Sequence, residues 1–350
     1  MDIRLFNKIF LSGLYNKKLD INEIPEKFYN EILSISDRSL MSAYLLKILD
    51  FKNNENDLIK NLNLQLRICI LKKLQIQSDL IKLSIAFKKN NINYCYLKGT
   101  AINFISDDSR FARDIDVLIE KKFISDAYNI LKSIGFNYFD KLVSDDTKYM
   151  NSQHQLPVMK NKNGTLVEIH HRVTKKNHFY KCPLSANMLK SKKIATHNSN
   201  EINIPRTEYI IAHVIYHAFK HNNLSFGPSF LYDLKSLKSI ETIDSDLVLE
   251  LLSKLNLEKQ YLNTLNVLNN DHITGLNKSI YINTTNEILR KKTPKPIAYY
   301  FTSKHGLKDL MKGIAFKISS TEDRYQVSKF SFKYYYILCI LFLRSFKKRL

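Results

Sequence analysis

The chain has 350 residues, of which 44% are hydrophobic and 25% are charged, which suffices for a buried core and excludes an intrinsically disordered protein. Its net charge of +21 is compatible with a polyanionic partner such as nucleic acid, a nucleotide or a membrane surface. The same excess also follows from codon bias in an AT-rich genome, because the sequence is rich in Asn, Ile and Lys and lacks Trp. The net charge alone therefore does not distinguish a polyanionic partner from codon bias.

The cysteines favour a reducing compartment, because they lie far apart and form neither a CxxC pair nor a Cys/His metal pattern. They are Cys69, Cys95, Cys182 and Cys339. At the N-terminus, Asp2 and Lys8 interrupt the apolar residues, which makes a poor signal peptide. We therefore expect a cytoplasmic protein.

The most apolar window is YYYILCILFL, residues 334–343. It has about half the length that a membrane-spanning helix needs, so we expect no transmembrane segment. Because the basic stretch RSFKKRL follows, residues 334–350 are compatible with weak contact to a membrane surface. A buried terminal helix is the interpretation that we favour.

The first 90 residues show helical spacing, most clearly in LQLRICILKKLQIQSDLIKLSIAFKKN, residues 64–90. A different pattern follows. YCYLK, residues 94–98, predicts a strand that stops at Gly99, and TAINFIS predicts a helix with Thr100 near its N-cap. DIDVLI, residues 114–119, alternates as a strand does. One face carries Asp114, Asp116 and Leu118, and the other carries Ile115, Val117 and Ile119.

The next stretch predicts a helix, a strand and a hairpin. KKFISDAYNILKSIGF, residues 121–136, predicts a helix ending at Gly135, and FNYF, residues 136–139, predicts a strand. HQLPVMKNKNGTLVEIHHRV, residues 154–173, predicts a β-hairpin with a type I′ turn at Asn163 and Gly164. Its second arm, residues 166–173, places Glu168, His170 and Arg172 on one face.

Helical spacing returns near residue 205 and continues to the end, with polar links expected near 195–203 and 269–287. The predicted fold class is α+β, with a small mixed β-sheet in residues 91–200. An N-terminal helical segment, residues 1–90, and a C-terminal helical domain, residues 201–350, flank this core.

Asp114 and Asp116 place two like charges on one side of a strand. If both were buried without a partner, they would repel each other and one would take up a proton. Mg²⁺ or Mn²⁺ would remove the conflict, because these cations prefer oxygen ligands and leave room for phosphates and water. Glu168, on a predicted strand, would complete the site. A solvated acidic edge strand is the alternative.

The turn ahead of these aspartates suits an anion. Gly99 lets the backbone approach a ligand closely, and the N–H groups that start the following helix face anions such as a triphosphate. Lys98, Arg110 and Arg113 add positive charge, although each also fits a solvated surface.

LKGTAI, a spacer and DIDVLI together resemble the signature of the polymerase-beta-like nucleotidyltransferase superfamily. With LVEIHHRV, IIAHVIYHAFKH and FLYDLKSL added, residues 90–240 look more closely like an uncharacterised bacterial nucleotidyltransferase family. The resemblance implies that Asp114, Asp116 and Glu168 bind catalytic metal ions and that Gly99 and Thr100 form the phosphate-binding turn. Thr100 stands where the superfamily usually has Gly or Ser.

The resemblance also implies a reaction. An acceptor hydroxyl or phosphate would attack the α-phosphate of a nucleoside triphosphate, with Mg²⁺ or Mn²⁺ as cofactor. The acceptor would be a small molecule, a protein or a tRNA. A non-catalytic basic protein that retains the fold and binds nucleic acid or nucleotides is the alternative.

Further polar residues near these motifs allow more than one interpretation. His170 either contacts the nucleotide or is a hydrogen-bonded structural residue. His213, His217 and His221 recur at a spacing of four, which suits zinc or, as we favour, a helix face packed near the active site. No HExxH motif is present here, so a metalloprotease is not indicated. For Asp233 we expect either an ion pair with a basic residue or a position in the active-site cleft.

Overall fold

The computed structural model describes residues 1–15, 17–50, 56–106, 111–139, 155–174, 182–197, 199–240, 242–269 and 275–292. The helices are α1 (Ile3–Phe10), α2 (Tyr29–Ser39), α3 (Ser42–Ile48), α4 (Asp57–Lys89), α5 (Lys98–Ile105), α6 (Ile124–Ser133), α7 (Leu184–Lys190), α8 (Thr207–Tyr216), α9 (Ser229–Ile240), α10 (Ser245–Lys254), α11 (Glu258–Asn269) and α12 (Gly275–Lys292). The strands are β1 (Leu19–Asp20), β2 (Leu49–Asp50), β3 (Tyr94–Tyr96), β4 (Ile115–Ile119), β5 (Asn137–Tyr138), β6 (Met159–Lys160), β7 (Leu166–His170), β8 (Lys193–His197) and β9 (Asn200–Ile204). A π-helical turn, His217–His221, continues α8.

The central sheet has the strand order β3-β4-β7-β6-β5. Strands β4 and β7 run parallel, and the other neighbouring pairs run antiparallel. Two smaller sheets pair β1 with β2 and β8 with β9. The predicted α+β fold class, a small mixed sheet between helical segments, is confirmed.

Burial explains the apolar sequence of β4. All five of its residues are buried, and Ile115, Val117 and Ile119 have no exposed surface. Helices α5 and α7 pack against this strand. Because both faces are covered, the charged Asp116 must find its partners inside the protein.

The long helix α4 belongs to the N-terminal segment of the chain. Asn56 caps it, because Asn56 Oδ1 accepts a hydrogen bond from Leu58 N at 2.9 Å. Buried residues such as Leu80, Leu83 and Phe87 recur every three or four positions. Helices α2 and α3 and strand β9 pack against α4, and the Phe87 ring lies 5.1 Å from the Tyr94 ring of β3. The helical spacing predicted for residues 64–90 is confirmed.

Two turns differ from the prediction. Helix α5 begins at Lys98 rather than at Thr100, and the extended Leu97 is its N-cap residue. Lys98 has a φ of 45°, which is rare for a residue other than glycine. The β6–β7 hairpin lacks the type I′ turn, since Gly164 has a φ of 94° but Asn163 is not left-handed. Gly164 N donates to Asn161 O at 3.1 Å, so residues 161–164 form a hydrogen-bonded turn with one left-handed residue, the glycine at its end.

Two segments predicted as polar links are regular structure instead. The β8–β9 hairpin spans residues 193–204 and buries Ile202 and Ile204 completely. Helix α12 begins at residue 275 and buries Leu276 and Ile280, one turn apart. Polar residues concealed the hairpin and the helix, because few buried apolar residues mark either element among the described residues.

One hydrophobic cluster contains residues from all three segments of the predicted domain division, including Phe6, Tyr94 and Tyr232. The division at residues 90/91 and 200/201 stays a prediction, and its second boundary falls within β9.

Three of the four cysteines lie in the described part of the chain, and Cys69, Cys95 and Cys182 are buried free thiols.

The fourth cysteine, Cys339, and the apolar and basic segment 334–350 lie outside the described residues. Within the described ranges, no helix combines the length and the apolar composition that crossing a bilayer requires.

Candidate active site

Asp116 and Glu168 lie side by side on neighbouring strands. They are partners in the register of the parallel pair β4 and β7, so their side chains project from the same face of the sheet. The Asp116 side chain is 7% exposed and the Glu168 side chain 21%. The sheet thus brings together two acids that are distant in the sequence.

Asp116 is held by two donors. Lys98 Nζ lies 3.1 Å from Asp116 Oδ1, and His170 Nε2 lies 2.8 Å from the same oxygen. His170 Nε2 is also 3.5 Å from Glu168 Oε2. Burial would raise the pKa of Asp116, but the Lys98 ammonium and the hydrogen bond with His170 outweigh it and hold this pKa well below its ordinary value. Asp116 is therefore ionised at neutral pH.

The partners of Asp116 are shifted toward their charged forms. Burial lowers the pKa of Lys98, yet the carboxylates of Asp116, Glu168 and Asp114 together raise it above its ordinary value. Burial likewise lowers the pKa of His170, and its hydrogen bonds with Asp116 and Glu168 raise it beyond this effect. The cluster keeps its charges because they are paired.

Asp114, two residues before Asp116, behaves in the opposite way. Burial, and then the negative charges of Asp116 and Glu168, raise the pKa of Asp114 to about 7. Lys98 and His170 offset this rise only in part. Negative charge is therefore in excess at the start of β4, and a divalent cation there would favour the ionised form of Asp114.

Thr100 connects helix α5 to strand β4. Its hydroxyl donates to Asp114 O and accepts from Asp116 N, both at 3.1 Å. The residue is 3% exposed, so this hydroxyl is directed at the strand backbone. Nearby, Asn103 Nδ2 donates to Gly99 O at 2.7 Å. Thr100 thus sets the position of the two aspartates relative to the turn at Lys98 and the start of α5.

A buried carboxylate on α4 anchors the hairpin that carries Glu168. Asp79 Oδ2 accepts hydrogen bonds from Thr165 Oγ1 at 2.7 Å and from Asn161 Nδ2 at 2.8 Å. Sequence reasoning missed Asp79. The signal was present, because an acid on the apolar face of a predicted helix, one turn before Leu83, needs a polar partner.

The acidic cluster offers ligands for a metal ion. One ligand atom each from Asp116, Glu168 and His170 lies within 4.8 Å of the others. Asp114 is outside this group of three, but its raised pKa shows that it lies in the same negative field. Carboxylate oxygens are the ligands that Mg²⁺ and Mn²⁺ prefer, and excess negative charge is what such an ion compensates. The donor set therefore fits a hard divalent cation.

These residues line a cleft of about 1060 Å³. We call Lys98, Gly99, Asp114, Asp116, Glu168 and His170 the carboxylate wall. We call His213, His217, His221, Asn222, Phe226 and Arg38 the histidine wall. Ligand pockets are typically ~300–1000 Å³, so the cleft has room for a nucleotide and part of a second ligand.

The histidines of the C-terminal segment line this cleft. His213 is 2% exposed, and its ring lies 6.2 Å from that of His217. The His217 and His221 rings are stacked at 4.9 Å. Burial, followed by the nearby positive charge of Lys98, holds the pKa of both His213 and His217 well below the ordinary value. Within the described residues, these three histidines do not form a group of ligands close enough to share an ion.

The arginines predicted near the site differ in placement. Arg113 lines the cleft, donates to Asp37 O and lies 4.0 Å from Asp37 Oδ2. Arg110 lies outside the described residues.

Asp233 is 2% exposed and also lines the cleft. Sequence reasoning missed Arg38, which comes from the distant helix α2 and has no local signal.

Solved structures of other proteins resemble this chain over 55% of its length. One similar solved structure is an antigenic nucleotidyltransferase-like protein from Paracoccidioides brasiliensis, with a TM-score of 0.38, 18% identity and coverage of 55% of this chain and 92% of that chain. Another is the antibiotic-resistance factor ANT(2'')-Ia, with a TM-score of 0.37, 13% identity and coverage of 55% and 96%. Among curated proteins, no match is found.

A family described as uncharacterised nucleotidyltransferase matches residues 28–270, well over half of the sequence. The match contains both the carboxylate wall and the histidine wall. The chain therefore belongs to this family of uncharacterised nucleotidyltransferases.

Proposed function

We propose that this protein is a metal-dependent nucleotidyltransferase of the cytoplasm that moves a nucleoside monophosphate from a nucleoside triphosphate to a hydroxyl or phosphate acceptor. The observation that carries the proposal is the pairing of Asp116 with Glu168 on parallel strands, beside the buried ammonium of Lys98. Family membership supports it.

Asp114, Asp116 and Glu168 are the residues that would hold Mg²⁺ or Mn²⁺. When bound, such an ion neutralises phosphate charge and favours the ionised form of an attacking hydroxyl. His170 would keep Asp116 oriented through their 2.8 Å contact. Lys98 stays charged in the cleft and would attract the triphosphate.

The start of α5 would bind the phosphates as well. Backbone N–H groups in the first turn of a helix have no intrahelical acceptor, and Leu97 provides no side-chain cap. Gly99 lines the cleft at this point. Arg113 is a further cation on the cleft surface and would contact phosphate after leaving Asp37.

In the reaction, the acceptor oxygen forms a bond to the α-phosphorus while the bond to the pyrophosphate oxygen breaks. A hydroxyl acceptor also loses its proton. We assign Glu168 as the group that accepts this proton, because its carboxylate is more accessible than that of Asp116. The acceptor classes are a small molecule, a protein and a tRNA.

The test is to incubate the purified protein with each α-labelled nucleoside triphosphate, Mg²⁺ or Mn²⁺ and cell lysate, and to follow the label. We expect one lysate fraction to become labelled and pyrophosphate to be released. Asp116→Ala should abolish both, whereas the exposed Asp126→Ala on α6 should retain them. No label in any fraction would favour the non-catalytic binding protein, and labelling by Asp116→Ala would refute the catalytic assignment.

A further inference from the structure

We propose that the histidine wall is a nucleobase-binding subsite, in which the rings of His221 and Phe226 stack on the base. This inference rests on the proposed function, since it places the planar part of a nucleotide in the same cleft. The base belongs to the nucleoside triphosphate or to a nucleotide acceptor, and stacking on aromatic side chains is common to both.

The π-helical turn creates one stacking surface. Asn222 N donates to His217 O at 2.9 Å, which closes the wider turn. This turn places the rings of His217 and His221 nearly parallel, with centroids 4.9 Å apart and an interplanar angle of 15°. His221 is exposed and lines the cleft, so its ring is accessible to a ligand there. Turns of this kind occur frequently at functional sites.

Asn222 determines which atoms of His217 can contact a ligand. Asn222 Nδ2 lies 3.0 Å from His217 Nδ1. An amide nitrogen only donates, so Nδ1 accepts, and we assign the proton of the neutral ring to Nε2. His217 thus supports the stack and offers one N–H donor for the polar edge of a base or a sugar.

The loop after the π-helical turn holds an unusual backbone conformation next to the cleft. Asn223, Leu224 and Gly227 have φ angles of 46°, 59° and 73°. Left-handed residues other than glycine persist only where the surroundings enforce them, and they concentrate at ligand sites. Here Ser39 Oγ donates to Phe226 O at 2.9 Å. The fold therefore maintains this loop against its local backbone preference.

The loop presents Phe226 to the cleft. This phenylalanine is 38% exposed, whereas Leu224 and Phe230, which also line the cleft, are each 6% exposed. The guanidinium of Arg38 lies over its ring at 4.7 Å, and Arg38 Nε donates to Ser225 O at 2.7 Å. Helix α2 thus fixes the loop and the ring together, which provides a second flat surface in the cleft.

Charge distinguishes the two walls as binding surfaces. Apart from Arg38 and Asp233, no acidic, Lys or Arg side chain lines the histidine-wall part of the cleft among the described residues from 213 to 233 and in helix α2. The carboxylate wall, in contrast, carries Lys98 and three acids. A triphosphate with its metal suits the carboxylate wall, and an uncharged base suits the histidine wall.

The test measures binding by calorimetry, so that it does not depend on turnover. The probes are α,β-non-hydrolysable analogues of ATP, GTP, CTP and UTP with Mg²⁺, a ten-nucleotide single-stranded RNA, and tripolyphosphate as the base-free control. The variants are His221→Ala, Phe226→Ala and His221→Phe, which keeps a flat ring. Leu71→Ala, at an exposed site on α4 outside the cleft, is the matched control.

We expect His221→Ala and Phe226→Ala each to raise the Kd of at least one triphosphate analogue, or of the RNA, by about 5- to 150-fold. The Kd of tripolyphosphate should stay unchanged, and His221→Phe and Leu71→Ala should bind as the wild type does. If only the RNA loses affinity, the base belongs to the acceptor. The subsite is refuted if neither the analogues nor the RNA lose affinity. It is also refuted if the variants weaken the binding of tripolyphosphate by the same factor.

Failure of the proposed function has a different signature. A wild-type protein that binds neither the analogues nor tripolyphosphate would refute the nucleotidyltransferase proposal and the subsite with it. A wild-type protein that binds tripolyphosphate as tightly as every analogue and binds no RNA would refute the subsite alone.

Discussion

The two walls of the cleft bury polar side chains in opposite ways. On the carboxylate wall, Lys98, Asp116 and His170 are in contact, and the pKa of each is shifted toward the charged form. On the histidine wall, burial holds the pKa of His213 and His217 well below the ordinary value, so these rings stay neutral. Burial alone disfavours charge, and it is overcome only where opposite charges are in contact.

The difference separates a part of the cleft with paired charges from a part with neutral histidines, where Arg38 and Asp233 are the only charged residue types among the described lining residues of the histidine wall and its neighbours from 213 to 233. Asp114 is an acid of the carboxylate wall whose charge is not stabilised, because its neighbours raise its pKa to about 7. An added cation would compensate the charge of Asp114, whereas the neutral histidines require no ion. Each variant below disturbs one of these two arrangements.

The largest effect is expected from removing the ammonium of the carboxylate wall. Lys98→Met removes one of the two described partners of the buried Asp116 and leaves only His170, and breaking a buried ion pair costs about 3–5 kcal/mol. Urea unfolding at pH 7 measures the loss. Lys82→Met is the matched control, because Lys82 is 63% exposed and lies 3.5 Å from Asp79. A loss of less than about 1 kcal/mol for Lys98→Met, as expected for an exposed pair, would contradict the assignment.

Glu168→Gln tests whether the second acid is needed for chemistry. The amide keeps the size of the side chain but removes its negative charge and its ability to accept a proton, so we expect nucleotidyl transfer to fall on the order of 10²–10⁴-fold. The label-transfer assay measures the rate at several Mg²⁺ concentrations. Glu201→Gln, at an exposed site on β9, should act as wild type does. Equal rates for the two variants would exclude Glu168 from catalysis.

Thr100→Val separates positioning from binding. Valine keeps the shape of threonine but leaves Asp116 N without its acceptor, which destabilises the fold by about 1–3 kcal/mol. Transfer should fall because the aspartates shift relative to α5. Thr100→Ser, which restores the hydroxyl, should recover both stability and rate. If Thr100→Val retained full stability, the two 3.1 Å hydrogen bonds would not be formed in solution.

Acid should destabilise the histidine wall. His213 and His217 stay neutral in the folded chain but take up protons near pH 6.5 when unfolded, so their stabilisation is complete above pH 6.5 and is lost as the pH falls below it. Each contributes a slope of at most about 1.4 kcal/mol per pH unit. Urea unfolding between pH 7 and pH 5 should show a shallower slope for His213→Phe. Equal slopes would mean that His213 takes up a proton when folded.

Local patterns predicted several elements correctly. Alternation identified β4, helical spacing identified α4, and Gly135, with a φ of 92°, ends the segment of α6 as expected. The failures were also local. Thr100 was taken for an N-cap, yet its hydroxyl bonds to the backbone of Asp114 and Asp116, a contact between distant segments that the local sequence does not reveal. Helix α12 was missed because the polar Asn277 and Thr284 are buried beside Leu276 and Ile280, so that apolar residues alone do not mark the buried face.

The sequence by itself determined which side chains the site can use. A strand with Asp114 and Asp116 on one face, and a second strand with Glu168 and His170 on one face, follow from a period of two residues. The tertiary structure decided which of them meet. The parallel register places Asp116 beside Glu168, and contacts over long sequence distances bring Arg38 and Phe226 to the same cleft as the carboxylates. Periodicity acts over a few residues, whereas register and cleft lining depend on how distant segments pack.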